Sequence, residues 1–208
     1  YSNNTIELID VNTSKTLFKE YLPLSLANDT RITNPYFMGN LILFPTLNGK
    51  VIIISSTNNE SVKNISVDPD SEFNNIISLN VIESSQTLIV ATPNKIVSIS
   101  PKEVLSKDYE VRDIIINKED IYVATIDGQL IKLSASLNEV KSKKYKYAKF
   151  HALAFTDSLY AVESQGFLVN INSDFSKDSV YDFSFDNEER MIAIGNRIYF
   201  DSKYITLP

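Results

Sequence analysis

One pattern recurs along this chain and restricts its fold more than any other feature: an apolar β-branched strand, a turn built on Gly, Asn or Asp, and a second alternating strand. Four copies are clear, at Leu41–Ile54, Leu88–Ile99, Ile121–Leu133 and Leu159–Ile171, and a shorter fifth spans Ile198–Leu207. Their turns, Asn48-Gly49, Pro93-Asn94, Asp127-Gly128, Gln165-Gly166 and Asp201-Ser202, lie roughly 35 to 45 residues apart. A tight hairpin needs positive φ at one or both central residues, which Gly, Asn and Asp tolerate best. The flanking β-branched and aromatic residues suit pleated, half-buried strands.

Two more strands accompany each hairpin. A short apolar one precedes it, at Tyr36–Met38, Ile76–Ile82, Ile114–Ile116, Ala152–Phe155 and Met191–Ile194, and a more polar alternating one follows at Val62–Val67, Val140–Tyr147 and Val180–Phe185. Four strands at this period predict an all-β fold, a β-propeller of about five four-stranded antiparallel blades, with the first strand of each innermost and the last a solvated edge. The single domain 1–208 then divides into blade units 31–70, 71–110, 111–148, 149–187, and 188–208 closed by 1–22. Thr5–Val11 and Thr16–Leu22 read as the last two strands of a blade and Met191–Leu207 as the first three. Joined, they remove an open sheet edge but count one strand twice. Either the extra strand is displaced or the chain is a fragment of a larger propeller; closure is the expectation adopted. Ser100-Pro101-Lys102-Glu103 has the signature of a capped helix start, so one helical turn is expected over Pro101–Leu105.

Composition narrows the function. Of 208 residues 43% are hydrophobic and 22% charged, enough to bury a core. The net charge of −6 argues against a general nucleic-acid binder, which needs an excess of Lys and Arg facing phosphates. No run approaches the roughly 20 apolar residues that span a bilayer. The absence of cysteine excludes disulfides, thiolate nucleophiles and Cys-type zinc sites. A start at Tyr1 without an initiator Met is read as a trimmed product whose leader has been removed.

The unit Ile121-Tyr-Val-Ala-Thr-Ile-Asp-Gly-Gln-Leu-Ile-Lys-Leu133 resembles the quinoprotein-type propeller repeat, the repeat of the BamB-like outer-membrane assembly lipoproteins. The likeness extends as a pattern over nearly the whole chain. It implies a periplasmic or outer-membrane-associated scaffold, without a membrane span and attached by an N-terminal lipid anchor since removed. The quinone enzymes with this repeat dock their blades through Trp and stack a Trp on the cofactor; this chain has no Trp and five Gly. No cofactor is therefore expected, and the repeat itself carries no activity.

Candidate chemistry is sparse. His151, the one histidine, lies in the apolar run Phe150–Phe155, and no Gly-x-Ser-x-Gly motif supplies a nucleophile for it. It is read as a structural or surface residue. The carboxylate runs Asp68-Pro-Asp-Ser-Glu72 and Asp186-Asn-Glu-Glu189 read as solvated turns, although a sugar-directed enzyme or ligand-binding propeller with acids at a central funnel would draw on such residues. The basic, aromatic-interleaved run Lys141–Lys149 reads as a protected sheet edge. Sequons occur at Asn3, Asn12, Asn28, Asn59 and Asn64, and Asp10-Val-Asn12-Thr-Ser14 also matches the extended acceptor Asp/Glu-x-Asn-x-Ser/Thr of bacterial glycosylation.

Cations stand near the start of four of the five innermost strands: Arg31, Arg112, Lys149 and Arg190. Converging on one mouth of the propeller, they would attract an acidic loop of a partner protein. Alternatively Asp113, Glu188 and Glu189 neutralise them as ordinary rim salt bridges. The sequence as a whole leads to a non-enzymatic protein-interaction scaffold that binds another protein through one rim, with no metal.

Overall fold

The computed structural model describes residues 1, 3–24, 31–183, 191–200 and 203–208, and within them the regular structure is entirely β. The chain divides into two compact units, Tyr1–Val81 with Gln86–Asp108, and Ile82–Ser85 with Tyr109–Pro208.

The first unit opens with the hairpin β1 (Thr5–Asp10) and β2 (Lys15–Tyr21). Next comes the sheet β3 (Tyr36–Met38), β4 (Leu41–Pro45), β5 (Lys50–Ser55) and β6 (Ser61–Ser66), then the sheet β7 (Ser78–Ile82), β8 (Thr87–Ala91), β9 (Lys95–Ile99) and β10 (Val104–Asp108). The second unit holds β11 (Val111–Asn117), β12 (Asp120–Thr125), β13 (Gln129–Leu133) and β14 (Glu139–Lys144), followed by β15 (Phe150–Phe155), β16 (Leu159–Glu163), β17 (Phe167–Ile171) and β18 (Asp178–Asp182). It ends in the three-stranded sheet β19 (Met191–Ile194), β20 (Arg197–Phe200) and β21 (Lys203–Thr206). Strands adjacent in sequence are adjacent in each sheet, the up-and-down meander of a propeller blade. The strands apportioned to the two chain ends are present, two as a hairpin and three as a meander.

Period-two alternation explains how one sheet serves two neighbours, because successive side chains leave opposite faces. In the first unit Ile42, Phe44, Ile52 and Ile54 pack with Ile6, Leu8 and Phe18 of the hairpin, while Leu43 and Val51, on the other face, pack with Leu79, Val81, Val90 and Val97. In the second unit Leu153, Leu159, Ala161 and Val169 meet Tyr122, Ala124 and Leu130, whereas Ala152, Ala154, Tyr160, Val162 and Leu168 meet Met191, Ile198 and Leu207. Each fully buried large side chain contributes about 1.5–3 kcal/mol. The second strands are consequently the most buried: every residue of β8 and β16 is buried. The first strands are less so, because each has a sheet partner on one edge only. The last strands are wet, as expected, and all five residues of β18 are exposed.

The expected helical turn at Pro101–Leu105 does not form. Ser100 Oγ accepts from the amides of Lys102 and Glu103 at 3.2 and 3.1 Å, as a helix cap would, but the Ser100 amide donates to the Glu103 carbonyl at 2.9 Å and closes a tight turn instead. Val104–Asp108 then runs back along Ile99–Lys95 as β10, the fourth strand of its sheet. A capping signature describes one turn of chain, and strand pairing decides the course of the residues after it.

Three of the central hairpins also anchor the outermost strand of their sheet. The carbonyl of Gly49 accepts from the Val67 amide at 2.8 Å, and those of Gly128 and Gly166 accept from Tyr145 and Phe183 at 2.9 Å. Gly128 has φ of +84°, and a Cβ there would lie 2.5 Å from the Ala148 carbonyl oxygen and 2.6 Å from that of Tyr145. Gly128→Ala therefore meets both strain and backbone collision, and is expected to destabilise the protein by about 1–3 kcal/mol, read as a lowered urea midpoint. Gly39→Ala, at φ +56° with open space around it, is expected to cost less.

Candidate functional site

At the start of β11 two adjacent polar residues reach across to β15. Arg112 donates from Nε to the Phe150 carbonyl at 2.9 Å, and its Nη2 lies 2.9 Å from His151 Nδ1. Asp113 accepts from the Leu153 amide at 2.6 Å and from the Ile114 amide at 2.9 Å. The pair thus staples one sheet to the next. The residues sit where β11 and β15 bulge, between Val111 and Asp113 and between Phe150 and Ala152, and a bulge re-aims side chains. The sequence offers Asp113 as a neutraliser of rim cations; in the structure its carboxylate holds backbone of the neighbouring strand.

An arginine can only donate, so Nδ1 of His151 must accept, which fixes the ring as neutral with its proton on Nε2. Burial, then the Arg112 charge, lowers the His151 pKa from its ordinary 6.5, and Glu163 pulls weakly the other way. Glu163 is itself buried, and its carboxylate accepts from the amides of Lys149 and Gln165 at 3.0 and 2.7 Å and from the Ser164 hydroxyl at 3.1 Å. Arg112, Lys149, His151 and Glu163 therefore share one end of the β11 and β15–β16 strands. The Lys149 side chain is exposed there.

Of the other expected cations, Arg31 belongs to the first unit, where its carbonyl accepts from the buried Asn75 amide at 2.8 Å. Arg190, together with Asp186, Glu188 and Glu189, lies outside the described residues. Asn12 occupies the exposed turn between β1 and β2.

The first acidic run is not a solvated turn throughout. Asp68 is buried, paired with Lys95 at 2.9 Å, and accepts from Thr92 Oγ1 at 3.3 Å. Its hydrogen bond and charge raise the Lys95 pKa against the opposing effect of burial. The reach of Asp68 to a strand 27 positions away is why its local context misleads.

The basic run follows the expected edge strand, with Lys143 paired to Asp178 at 2.6 Å, Lys144 paired to Asp127, and the Tyr145 hydroxyl donating to Asp178 at 2.9 Å. Burial, then Asp178, pushes the Tyr145 hydroxyl pKa up. Exposed pairs of this kind contribute at most about 1 kcal/mol each. Lys141, Lys146 and Tyr147 remain exposed.

Glu163 lies within the fourth repeat copy and is not among the expected site residues, yet register points to it. Thr46, Thr92 and Thr125 each stand three residues before Gly49, Lys95 and Gly128, and their hydroxyls hold the turn: Lys50 donates to Thr46 at 2.9 Å, Lys95 to Thr92 at 3.1 Å and Gln129 to Thr125 at 3.0 Å. Glu163 fills the same place before Gly166. A charge where three blades use a hydroxyl is a signal available from alignment of the repeats. Among the described residues no cluster of three or more His, Asp or Glu could hold a metal.

No protein-family model matches the chain, so the quinoprotein-type repeat stands as a residue pattern. The chain is 28% identical over 218 residues to the plasminogen-binding protein PgbB of Helicobacter pylori strain J99, and 27% identical over 217 residues to that of strain 26695. Each match covers 98% of this chain and 40% of the relative, so the chain spans two fifths of their length. Among solved structures, BamB from Moraxella catarrhalis superposes with a TM-score of 0.74 at 11% identity, over 96% of this chain and 64% of that one. Saccharomyces cerevisiae Sqt1 gives 0.66 at 10% identity, and the computationally designed Ika8 protein gives 0.69 at 14%, both over 96% of this chain and over 64% and 62% of theirs. At these identities the likenesses establish the fold: a BamB-like β-propeller architecture.

Because the folded state holds His151 neutral while an unfolded chain protonates it near 6.5, its contribution to stability is complete above that pH and is lost as pH falls through the lower folded value. Melting temperature is expected to drop as pH falls below about 6.5. His151→Gln, which keeps an acceptor for Arg112, is expected to flatten that drop. An identical slope in wild type and variant would assign it to carboxylates.

Proposed function

We propose that this chain is a protein-binding propeller segment of an exported, cell-surface or periplasmic protein, that it acts without catalysis, and that plasminogen is its partner. The observation that carries the reading is the match of 98% of the chain to two proteins named as plasminogen-binding. The fold supports it, since blades joined by polar turns present loops on a rigid frame. The side-chain chemistry is compatible with it: Asp68 and Glu163, the buried acids, are occupied in holding Lys95 and backbone amides. The purified chain, offered to immobilised plasminogen in biolayer interferometry, is expected to bind saturably, with serum albumin as the blank. Equal signals on both surfaces would refute the partner.

The proposed docking rim is the end of the second unit that carries Lys149, with Arg112 beside it at the start of β11. Arg112 is a poor single test because it holds β15; Arg112→Ala is expected to cost about 1–3 kcal/mol of stability. Lys149→Glu probes the rim better, since the lysine side chain is exposed. It is expected to weaken capture roughly twofold to fivefold, the worth of about one exposed ion pair, with an unchanged melting temperature. Unaltered affinity would remove Lys149 from the rim.

A further inference from the structure

Five sequons occur in the chain, and the structure separates them. Asn28 lies outside the described residues. At Asn3 the hydroxyl-bearing Thr5 two residues on is buried, and its amide donates to Asn3 Oδ1 at 3.2 Å. Asn59 is half-buried, and its amide donates to the Ser55 carbonyl at 2.9 Å. Asn64 is exposed but lies within β6, in register opposite Ile52 of β5, so its backbone is committed to a sheet. Asn12 differs from all of these. It sits at the tip of the β1–β2 hairpin between Val11, 89% exposed, and the exposed Thr13 and Ser14.

The tip is also shaped. Asp10 Oδ1 accepts from the amides of Asn12 and Thr13 at 2.8 and 3.0 Å, and Ser14 closes the turn at φ +56°. These backbone bonds lower the Asp10 pKa, so the group two residues before Asn12 stays a carboxylate. Leu8 and Phe18, lower in the hairpin, pack against Ile42, Phe44, Ile52 and Ile54, which anchors the base while the tip stands in solvent. None of the other four sequons has an acidic residue at that position: Tyr1, Leu26, Thr57 and Val62 stand there.

We propose that Asn12 is an acceptor for N-linked oligosaccharide, received from a lipid-diphosphate-linked donor through a bacterial-type oligosaccharyltransferase that reads the Asp10 carboxylate and the Ser14 hydroxyl. In the transfer Asn12 Nδ2 bonds to the anomeric carbon of the first sugar. The bond from that carbon to the diphosphate oxygen breaks, the lipid diphosphate leaves with the electron pair, and the amide gives up one proton to a base of the transferase. The site rests on the reading of the protein as exported, because such transfer takes place outside the cytoplasm.

The test is to direct the full chain to the periplasm of a bacterium carrying such a transferase and its lipid-linked oligosaccharide, with a known acceptor protein in the same cell as control, and to measure intact mass and glycopeptides. One added oligosaccharide on Asn12 is expected, absent in Asn12→Gln and retained in Asn59→Gln and Asn64→Gln. Asp10→Asn keeps an oxygen for the turn but removes the charge, and is expected to reduce occupancy at least tenfold. An unmodified chain beside a modified control, modification at a different sequon, or full occupancy in Asp10→Asn would each overturn the proposal. Because an added leader supplies export, a negative result here is independent of plasminogen binding by the unmodified chain, which tests the other reading.

Discussion

The hydrogen bond from the last strand of a blade to the carbonyl of its central hairpin sets the geometry on which the rest depends. Outer strands bury little and are held mainly by pairing along one edge, so the point where they leave the sheet must be fixed by something else. Gly49, Gly128 and Gly166 do this by turning their carbonyls toward Val67, Tyr145 and Phe183. In two of these turns a side chain would collide with a later stretch of chain, Asn74 in one case and Tyr145 and Ala148 in the other. The hairpin at Pro93-Asn94, which has no glycine, is tied differently. Asp68 and Asp108 both face Lys95 there, at 2.9 and 3.9 Å, and Thr92 reaches Asp68 as well. The buried Asp68 follows β6 of the preceding sheet, so its pair with Lys95 ties that sheet to the β8–β9 turn, with the desolvation cost offset by the added hydroxyl.

The repeats were legible because both halves of their signal are local. Positive-φ turn residues and period-two alternation are visible within about fifteen residues, and they placed the described strands other than β10 in order and approximate bounds. The helical expectation at Ser100 failed on the same ground. Ser100 offers its hydroxyl to the same two amides in a helix or in a turn, and only the pairing of Val104–Asp108 with β9 distinguishes them. The extra burial of the second strands was not visible in the same way. A second strand has partners on both edges and neighbours on both faces, so it is buried more than the first, something hydrophobicity in a single segment does not reveal.

The site was legible as residue types and not as roles. Arg112 stands out in the sequence for its charge and place, and the structure finds it engaged with His151 and the Phe150 carbonyl. The structural reading of His151 agrees with its contact, although the arginine that holds it neutral lies 39 positions earlier. Asp68 looks solvated among polar neighbours and is buried against a strand far along the chain. In each case the chemistry depends on a partner brought close by the stacking of sheets, and no spacing rule within one repeat encodes it.

The staple from β11 to β15 also has a bearing on how the chain is made. Arg112 and Asp113 are bound to groups 38, 39 and 40 positions further on, so a ribosome that has released β11 has not yet produced the groups that satisfy it. At about 5–20 residues per second that wait lasts roughly 2 to 8 seconds. During it β11, an edge of its sheet, presents a cation and a carboxylate side by side before their bonds to β15 can form. Charged side chains on an exposed edge strand discourage pairing with a stray strand. The same two side chains that join finished blades thereby act earlier as a guard on the nascent one.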